Sequence, residues 1–402
     1  MATDSAGAAA AIINDRGADR VRGGHPWVYA AEILGWTPEP PAAGSPPEPV
    51  LVRDRRGRDL GWADYSPQSQ IRLRLLTREA GPPPDSAFIA ARIARALAYR
   101  AQVVRDSDAC RLVAAEADGL PGLIVDRYAN AIALQTLTWA MAARQPAIVA
   151  ELDARLQPAA IVERNDVKVR EREGLELHTA MLKGDSPIAE PMINGLRFTF
   201  DLLTGQKTGG FLDQRENWSA AAAYAQMFGA KRALDVFTFQ GGFALHLARA
   251  GLTVEAVDSS RAALEQAERN GDSNALRDIT WIEGNAFDVL RDYDHRGAKY
   301  DFIVLDPPAF AKSRKSLAQA AAGYKEINLR ALKLLADSGT LVTCSCSHHL
   351  TEPELLEILS SAARDAHRDL VVLDRRTQSK DHPVVLSIPE TAYLKCIVAR
   401  AR

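Results

Sequence analysis

Apolar and polar positions follow two rhythms along the chain, and the rhythm changes near residue 195. Before that point short period-two stretches dominate. VLVRD (Val50–Asp54), LGWADY (Leu60–Tyr65) and IRLRLL (Ile71–Leu76) read as strands with one buried face. PEPPAAGSPPEP (Pro38–Pro49) is too rich in proline for a helix or a central strand. We therefore expect a small β-barrel over residues 12–80 with one long loop, preceded by a frayed tail over 1–11. GPPP (Gly81–Pro84) then breaks the chain.

Residues 85–190 predict a mixed α/β segment. Asp85 or Ser86 is placed to cap a helix carrying Ile89, Ile93 and Leu97 at helical spacing. GLIVDRY (Gly122–Tyr128), NAIALQTLTW (Asn130–Trp139) and AAIVERND (Ala159–Asp166) predict strands, with a second helix near Pro146–Leu156. DGLPGL (Asp118–Leu123) predicts a turn. Beyond residue 195 the apolar runs become continuous: RALDVF, LTVEAVD, ITWIEG, YDFIVLD and GTLVTCS, with helical stretches between them. Strands buried on both faces and alternating with helices predict a parallel sheet with right-handed crossovers, an α/β domain over 195–402.

Composition changes this picture little. At 402 residues the chain is long enough for two or three cored domains. No apolar run approaches the roughly 20 residues of a membrane helix, and the opening MATDSAGAAAAII has no basic leader. Four irregularly spaced cysteines argue against a disulfide framework and point to a reducing cytoplasm. A net charge of −2 excludes a polycation, so a nucleic-acid partner would be held by local patches. The Arg53, Arg55, Arg56 and Arg58 cluster is one such candidate, with an ordinary solvated hairpin as the competing reading.

The candidate chemistry gathers at the strand ends of the last domain, where open parallel sheets bind ligands. The first of these strands leads into DVFTFQGG (Asp235–Gly242), whose two glycines permit a tight turn and close backbone approach. The second ends at Asp258, a carboxylate suited to ribose hydroxyls. The third leads to Asn285, which can read an adenine edge or cap a helix. The fourth ends in LDPPAF, where Asp306 and Phe310 flank the rigid Pro307–Pro308 pair. Asp-Pro-Pro-aromatic suits a planar base: the ring stacks on it and the acid bonds its edge. The fifth runs into LVTCSCSHH (Leu341–His349). Its cysteines admit three readings: a strained metal site, a buried apolar pair, or a nucleophile. In the last, Cys346 adds to carbon-6 of cytosine and makes carbon-5 able to accept a methyl group, with Asp306 at ring nitrogen-3. Upstream, TGQKTGGFLDQRENW (Thr204–Trp218) predicts a Gly/Thr lip and a helix start at Asp213 suited to a carboxylate.

Taken together, GQKTG…FLDQR, Asp-Pro-Pro-x-Phe and Ser-Cys-Ser resemble the bacterial and archaeal S-adenosylmethionine-dependent 23S rRNA 5-methylcytosine methyltransferases of the large-subunit I type. GGHPWVYAAEI (Gly23–Ile33) and YSPQSQIRLRLL (Tyr65–Leu76) resemble that family's N-terminal RNA-binding PUA domain. EADGLPGLIVDRY (Glu116–Tyr128) resembles its central α/β domain, and DHPV and YLK (Asp381–Val384, Tyr393–Lys395) its C-terminal end. The resemblance implies a Rossmann-like class I methyltransferase domain, S-adenosylmethionine as cofactor, ribosomal RNA as partner, no membrane association and a homodimer. It also implies cofactor contacts from Thr208, Phe211, Gln214, Arg215, Asp235, Phe237, Gly241, Gly242, Asp258, Ser259, Asn285, Ala286 and Asp306. Substrate contacts would come from Pro307, Pro308 and Phe310, and catalysis from Cys346 and Asp306, with no metal. Gly210 stands where the family usually has a second aromatic, and Asn285 where an acid is common. Two other functions stay open: methylation of a ring or exocyclic nitrogen, which needs no cysteine, and a non-catalytic RNA-binding assembly factor.

Overall fold

A computed structural model describes residues 8–38, 40, 48–79, 81–310 and 317–402. Residues 1–7 of the expected tail and most of the expected Pro38–Pro49 loop lie outside them. The chain forms two compact units. The first comprises Met1–Pro191, Phe200–Phe211 and Lys380–Thr391; the second comprises Met192–Thr199, Leu212–Ser379 and Ala392–Arg402.

In the first unit, β1 (Ala10–Ile13), β2 (Trp27–Tyr29), β3 (Ile33–Trp36), β4 (Val50–Arg53), β5 (Asp59–Tyr65) and β6 (Ile71–Leu75) form one sheet. Its order is β2-β6-β5-β4-β1-β3, with β1 and β4 the parallel pair. Alternation sets the two faces. Ala11, Ile13, Val50, Val52 and Leu73 join one core with Val21 of α1 (Asp15–Arg22), while Ala10, Leu51 and Trp62 join another. Ala10 and Ala11 are buried in β1, so the last two residues of the stretch expected to fray belong to a sheet. A short Ala-rich run looks featureless alone; two strand neighbours give it structure.

The same unit carries a second sheet, β11-β10-β9-β8-β7, built from β7 (Ala109–Ala114), β8 (Leu123–Tyr128), β9 (Ala131–Thr136), β10 (Ala160–Arg164) and β11 (Thr179–Lys183). Helices α2 (Ser86–Val103) and α3 (Trp139–Leu156) bury Ile89, Ile93, Ile148 and Leu152 in its core. The Asp85 side chain caps α2 by accepting from Phe88 N at 2.9 Å. The expected Asn130–Trp139 strand stops at Thr136, because the Thr138 hydroxyl accepts from Met141 N and starts α3. That helix therefore begins seven residues before Pro146 and carries the proline inside it. Two small hairpin pairs follow: β12 (Ile188–Ala189) with β15 (Phe200–Asp201) in the first unit, and β13 (Met192–Ile193) with β14 (Leu196–Arg197) in the second.

The second unit holds a seven-stranded sheet in the order β18-β17-β16-β19-β20-β22-β21. Its strands are β16 (Arg232–Val236), β17 (Thr253–Asp258), β18 (Ile279–Glu283), β19 (Tyr300–Leu305), β20 (Leu335–Ser345), β21 (Leu370–Arg376) and β22 (Lys395–Ala401). The five strands expected from the apolar runs are the parallel ones; β21 and β22 add an antiparallel edge. Helices α4 (Arg215–Met227), α5 (Gly242–Arg249), α6 (Arg261–Ser273), α7 (Ala286–His295), α8 (Leu317–Leu334) and α9 (Glu352–Asp365) complete it. Leu290 of α7, Ile327 of α8 and Leu355 of α9 pack with Leu234, Ile303 and Leu341 of the sheet. The chain runs outward through β16, β17 and β18, then returns to lay β19 on the other side of β16. That reversal opens a crevice at the carboxyl ends of β16 and β19, where ligands of such sheets bind.

Candidate functional site

The crevice is walled by two loops that the β-sheet register brings side by side. Val236 lies opposite Leu305, and Asp306 N donates to Val236 O at 3.2 Å. After β16 the backbone turns through left-handed conformations at Phe237 (φ 68°) and Phe239 (φ 51°), costly for side-chain-bearing residues. Gly241 follows at φ 86°, and a Cβ at Gly242 would come within 2.4 Å of the Trp218 indole. Two acids hold this loop. Asp235 is closed to solvent and accepts from Thr238 Oγ1 at 2.6 Å and Ala244 N at 2.9 Å. Burial pushes its carboxyl up to about 7, against those two hydrogen bonds. Asp258, at the tip of β17, accepts from Phe239 N and Ser260 N, both at 2.9 Å. Asn285 caps α7, its Oδ1 accepting from Phe287 N at 2.9 Å, and is exposed. Ser259 is exposed beside Asp258, while Ala286 is buried under the Asn285 cap.

The Asp306 carboxylate is oriented by a chain of side chains. Gln214 Nε2 donates to Asp306 Oδ1 at 2.9 Å, and Gln214 Oε1 accepts from Asn217 Nδ2 at 2.7 Å. Asn217 Oδ1 accepts from Arg376 Nε at 2.9 Å. A guanidinium only donates and a carboxylate only accepts, so both amides are fixed in one orientation. Pro307 is buried, Pro308 exposed, and Phe310 sits among aromatics, 4.8 Å from the Tyr324 ring centroid, 6.1 Å from Phe287 and 6.4 Å from Phe237.

At the next strand tip the two cysteines part company. Cys344 lies in β20 opposite Cys396 and is wholly buried; burial and the neighbouring Cys396 thiol drive its pKa well up. Cys346 lies just past the strand and is partly exposed. Its flanking serines are stapled from below: Ser345 Oγ donates to Tyr324 Oη at 2.9 Å, and Ser347 Oγ lies 3.1 Å from the same oxygen. Lys395 Nζ donates to the carbonyls of Ser347 (2.6 Å) and Tyr393 (2.9 Å) and is 7% exposed. Burial brings its pKa down to about 8, opposed by negative charge on Cys346 and Glu354. Neither Tyr324 nor Lys395 carried a functional reading in the sequence. Each sits far along the chain from Cys346, and only strand pairing and helix packing bring them in; the YLK triplet was the one available signal.

Of the other residues expected at the cofactor, three are closed to solvent and Phe211 is half-buried. Gln214 and Arg215 of the second unit are buried at the start of α4, where Asp213 Oδ2 accepts from Tyr393 Oη at 2.8 Å. Thr208 and Phe211 belong to the first unit. The Thr208 hydroxyl is buried there, donating to Asp126 Oδ2 at 2.6 Å beside the Tyr128 hydroxyl at 3.1 Å. Phe211 lies under the Lys207 ammonium, 4.3 Å from the ring centroid.

Residues 178–400 match the model of an S-adenosylmethionine-dependent methyltransferase family, and residues 11–78 match a PUA-like domain. A ribosomal RNA large subunit methyltransferase I from Shewanella amazonensis is 40% identical over 384 residues, covering 94% of this chain and 95% of the relative. The chain belongs to this methyltransferase family. A relative of the same name from Escherichia coli O139:H28 is 36% identical over 384 residues, again covering 94% of this chain. Among solved structures, one described as a SAM-dependent methyltransferase from Streptococcus mutans aligns with a TM-score of 0.80 at 17% identity, over 97% of this chain and 99% of that one. That likeness speaks to the fold alone.

The methyltransferase's crevice fits S-adenosylmethionine by its own chemistry. Among the described residues, Asp235 Oδ1 and Gln240 Oε1 are buried acceptors without a partner at the Gly-Gly loop. Asp258 is held by two backbone N–H groups with lone pairs to spare for ribose hydroxyls. Among the described residues the exposed Asn285 amide nitrogen makes no hydrogen bond, which fits an adenine edge as its acceptor.

Proposed function

We propose that this methyltransferase modifies carbon-5 of a cytosine in ribosomal RNA of the large subunit through a covalent bond from Cys346. One observation carries the reading: of the two cysteines at the tip of β20, Cys346 is the accessible one, and it is held beside a buried ammonium. That the 36–40% identical relatives are ribosomal RNA large subunit methyltransferases supports the RNA class.

S-adenosylmethionine supplies an electrophilic methyl group. The chain's own residues do the rest. Lys395, charged below about pH 8, favours the Cys346 thiolate, as a nearby cation favours any thiolate. The thiolate attacks carbon-6 of the cytosine; the ring electrons move to carbon-5, which takes the methyl. Asp306, aimed by Gln214, accepts from the exocyclic amine beside nitrogen-3 and holds the base in register. Transfer of the carbon-5 proton to solvent water, as the carbon-6–sulfur bond breaks and Cys346 leaves as thiolate, restores the aromatic ring. Asp258 and Asn285 hold the cofactor's ribose and adenine, whereas Asp235 and Gly242 act by shaping the loop. Phe310 forms a fixed wall with Phe287 and Tyr324, against which the base lies.

Two measurements test this. Cys346→Ala is expected to abolish methyl transfer to large-subunit RNA, scored by nucleoside mass spectrometry, while calorimetric affinity for S-adenosylmethionine stays within about twofold. RNA bearing 5-fluorocytosine, which cannot lose a proton from carbon-5, is expected to trap a protein–RNA adduct that Cys346→Ala lacks. Substantial methylation by the variant, or methyl on a nitrogen, would transfer the assignment to nitrogen-directed chemistry.

A further inference from the structure

The first unit has a cleft of about 670 Å³ lined by Arg78, Arg92 and Arg95 over an apolar floor that includes Leu76, Pro82 and Phe88. Arg92 and Arg95 lie three residues apart on α2, so they share a helix face; Arg78 reaches in from the segment after β6. Among the described residues none of the three is in an ion pair. Arg78 donates to Gly24 O, and Arg92 donates weakly to Leu76 O at 3.4 Å with its guanidinium over the Phe88 ring, 4.9 Å from the centroid. Burial, then the charges of Arg95 and Arg78, hold the Arg92 pKa down. Like charges gathered in a cleft without counter-charge cost free energy that an anion would recover. Of the two acids in the lining, Glu116 is engaged, accepting from Trp27 Nε1 at 2.9 Å and facing Arg74 at 4.0 Å; Glu79 is exposed.

The contrast with the arginine cluster noted in the sequence is sharp. There Arg53 pairs with Asp59 at 2.7 Å, Arg58 with Asp54 at 2.7 Å, and Arg22 also bonds Asp54. Arg55 lies 3.8 Å from Asp15, so of those four only Arg56 is in no ion pair among the described residues; in the cleft none of the three is paired.

We propose that this cleft is a second RNA-binding site, which takes a single-stranded segment of the substrate other than the methylated nucleotide. It rests on the ribosomal RNA reading above. Guanidinium forks suit phosphodiester oxygens, and the apolar floor with Phe88 suits the face of an unstacked base. A duplex keeps its bases stacked inside and offers nothing to that floor.

The test uses the full chain and a labelled oligouridylate of about ten nucleotides, within the span such grooves cover, titrated across salt concentrations. Arg92→Gln/Arg95→Gln is expected to weaken binding at least about tenfold at low salt and to reduce the salt slope by about 1.4, at roughly 0.7 per phosphate contact on a single strand. Arg95→Gln alone, at an exposed position, should reduce the slope by about half as much without changing the melting temperature. S-adenosylmethionine affinity should stay unchanged in both. An unaltered slope in folded Arg95→Gln would overturn the proposal, as would an equal loss on duplex RNA of the same length. Should the parent bind oligouridylate in this arginine-dependent way yet methylate no ribosomal RNA, the cleft would stand and the proposed reaction would fall.

Discussion

Gln214 shows how much one side chain can decide. Its amide is the link between Asp306, which can only accept, and a network ending on Arg376, which can only donate. Gln214→Glu keeps the acceptor that Asn217 needs and replaces the donor that Asp306 needs. Two carboxylates then face each other across a hydrogen-bond distance and must share a proton. We expect methyl transfer to fall by about tenfold or more, with the smallest loss at low pH, as steady-state rates across pH will show. Asp235 makes a second residue-scale case. Its folded pKa of about 7 lies above the ordinary 3.8, so between those values the folded state holds a proton that the unfolded state has lost. Stability contributed at this site therefore falls as pH rises through that window. Asp235→Asn keeps an acceptor oxygen and removes the charge. It should flatten the pH dependence of denaturant unfolding between pH 4 and 7 and add about 2–4 kcal/mol at pH 8.

Elements matter where a strand tip must be held still. The tip of β20 carries Cys346 between Ser345 and Ser347, and the Tyr324 hydroxyl of α8 meets both serines. Tyr324→Phe leaves the ring packing on Phe310 and removes the hydroxyl that staples both serines and bonds the Phe310 backbone. Losing these buried hydrogen bonds should cost about 1–3 kcal/mol in urea unfolding. It should also lower kcat with little change in S-adenosylmethionine affinity; equal kcat would show that the tip holds itself. At this scale the sequence was informative where a cap or an apolar run is local, as with Asp85 before α2 and YDFIVLD in β19. It misled at Thr136–Trp139, where one apolar stretch ends a strand and opens a helix within three residues.

On the scale of the whole chain, the final residues are structurally central. β22 lies between β20 and β21, pairing with both, although it is the last strand in sequence. Removing Ala392–Arg402 would strip β20 of its antiparallel partner, expose a long apolar edge and delete Lys395. A chain truncated after Thr391 should lose the cooperative melting of the second unit and its binding of S-adenosylmethionine by calorimetry. Retained binding would show the antiparallel edge to be dispensable.

The amino-acid order alone determined the parallel strands, the helix caps and the loops at which chemistry gathers, because each depends on residues within a few positions of one another. It also placed Asp306, Asp258 and Cys346 at strand ends. Tertiary structure decided which strands are neighbours, hence that Val236 meets Leu305 and that a crevice opens there. It decided as well which cysteine is sealed and which accessible, and which arginines meet acids. Burial and charge pairing depend on residues brought together from distant parts of the chain, and no local pattern encodes those meetings.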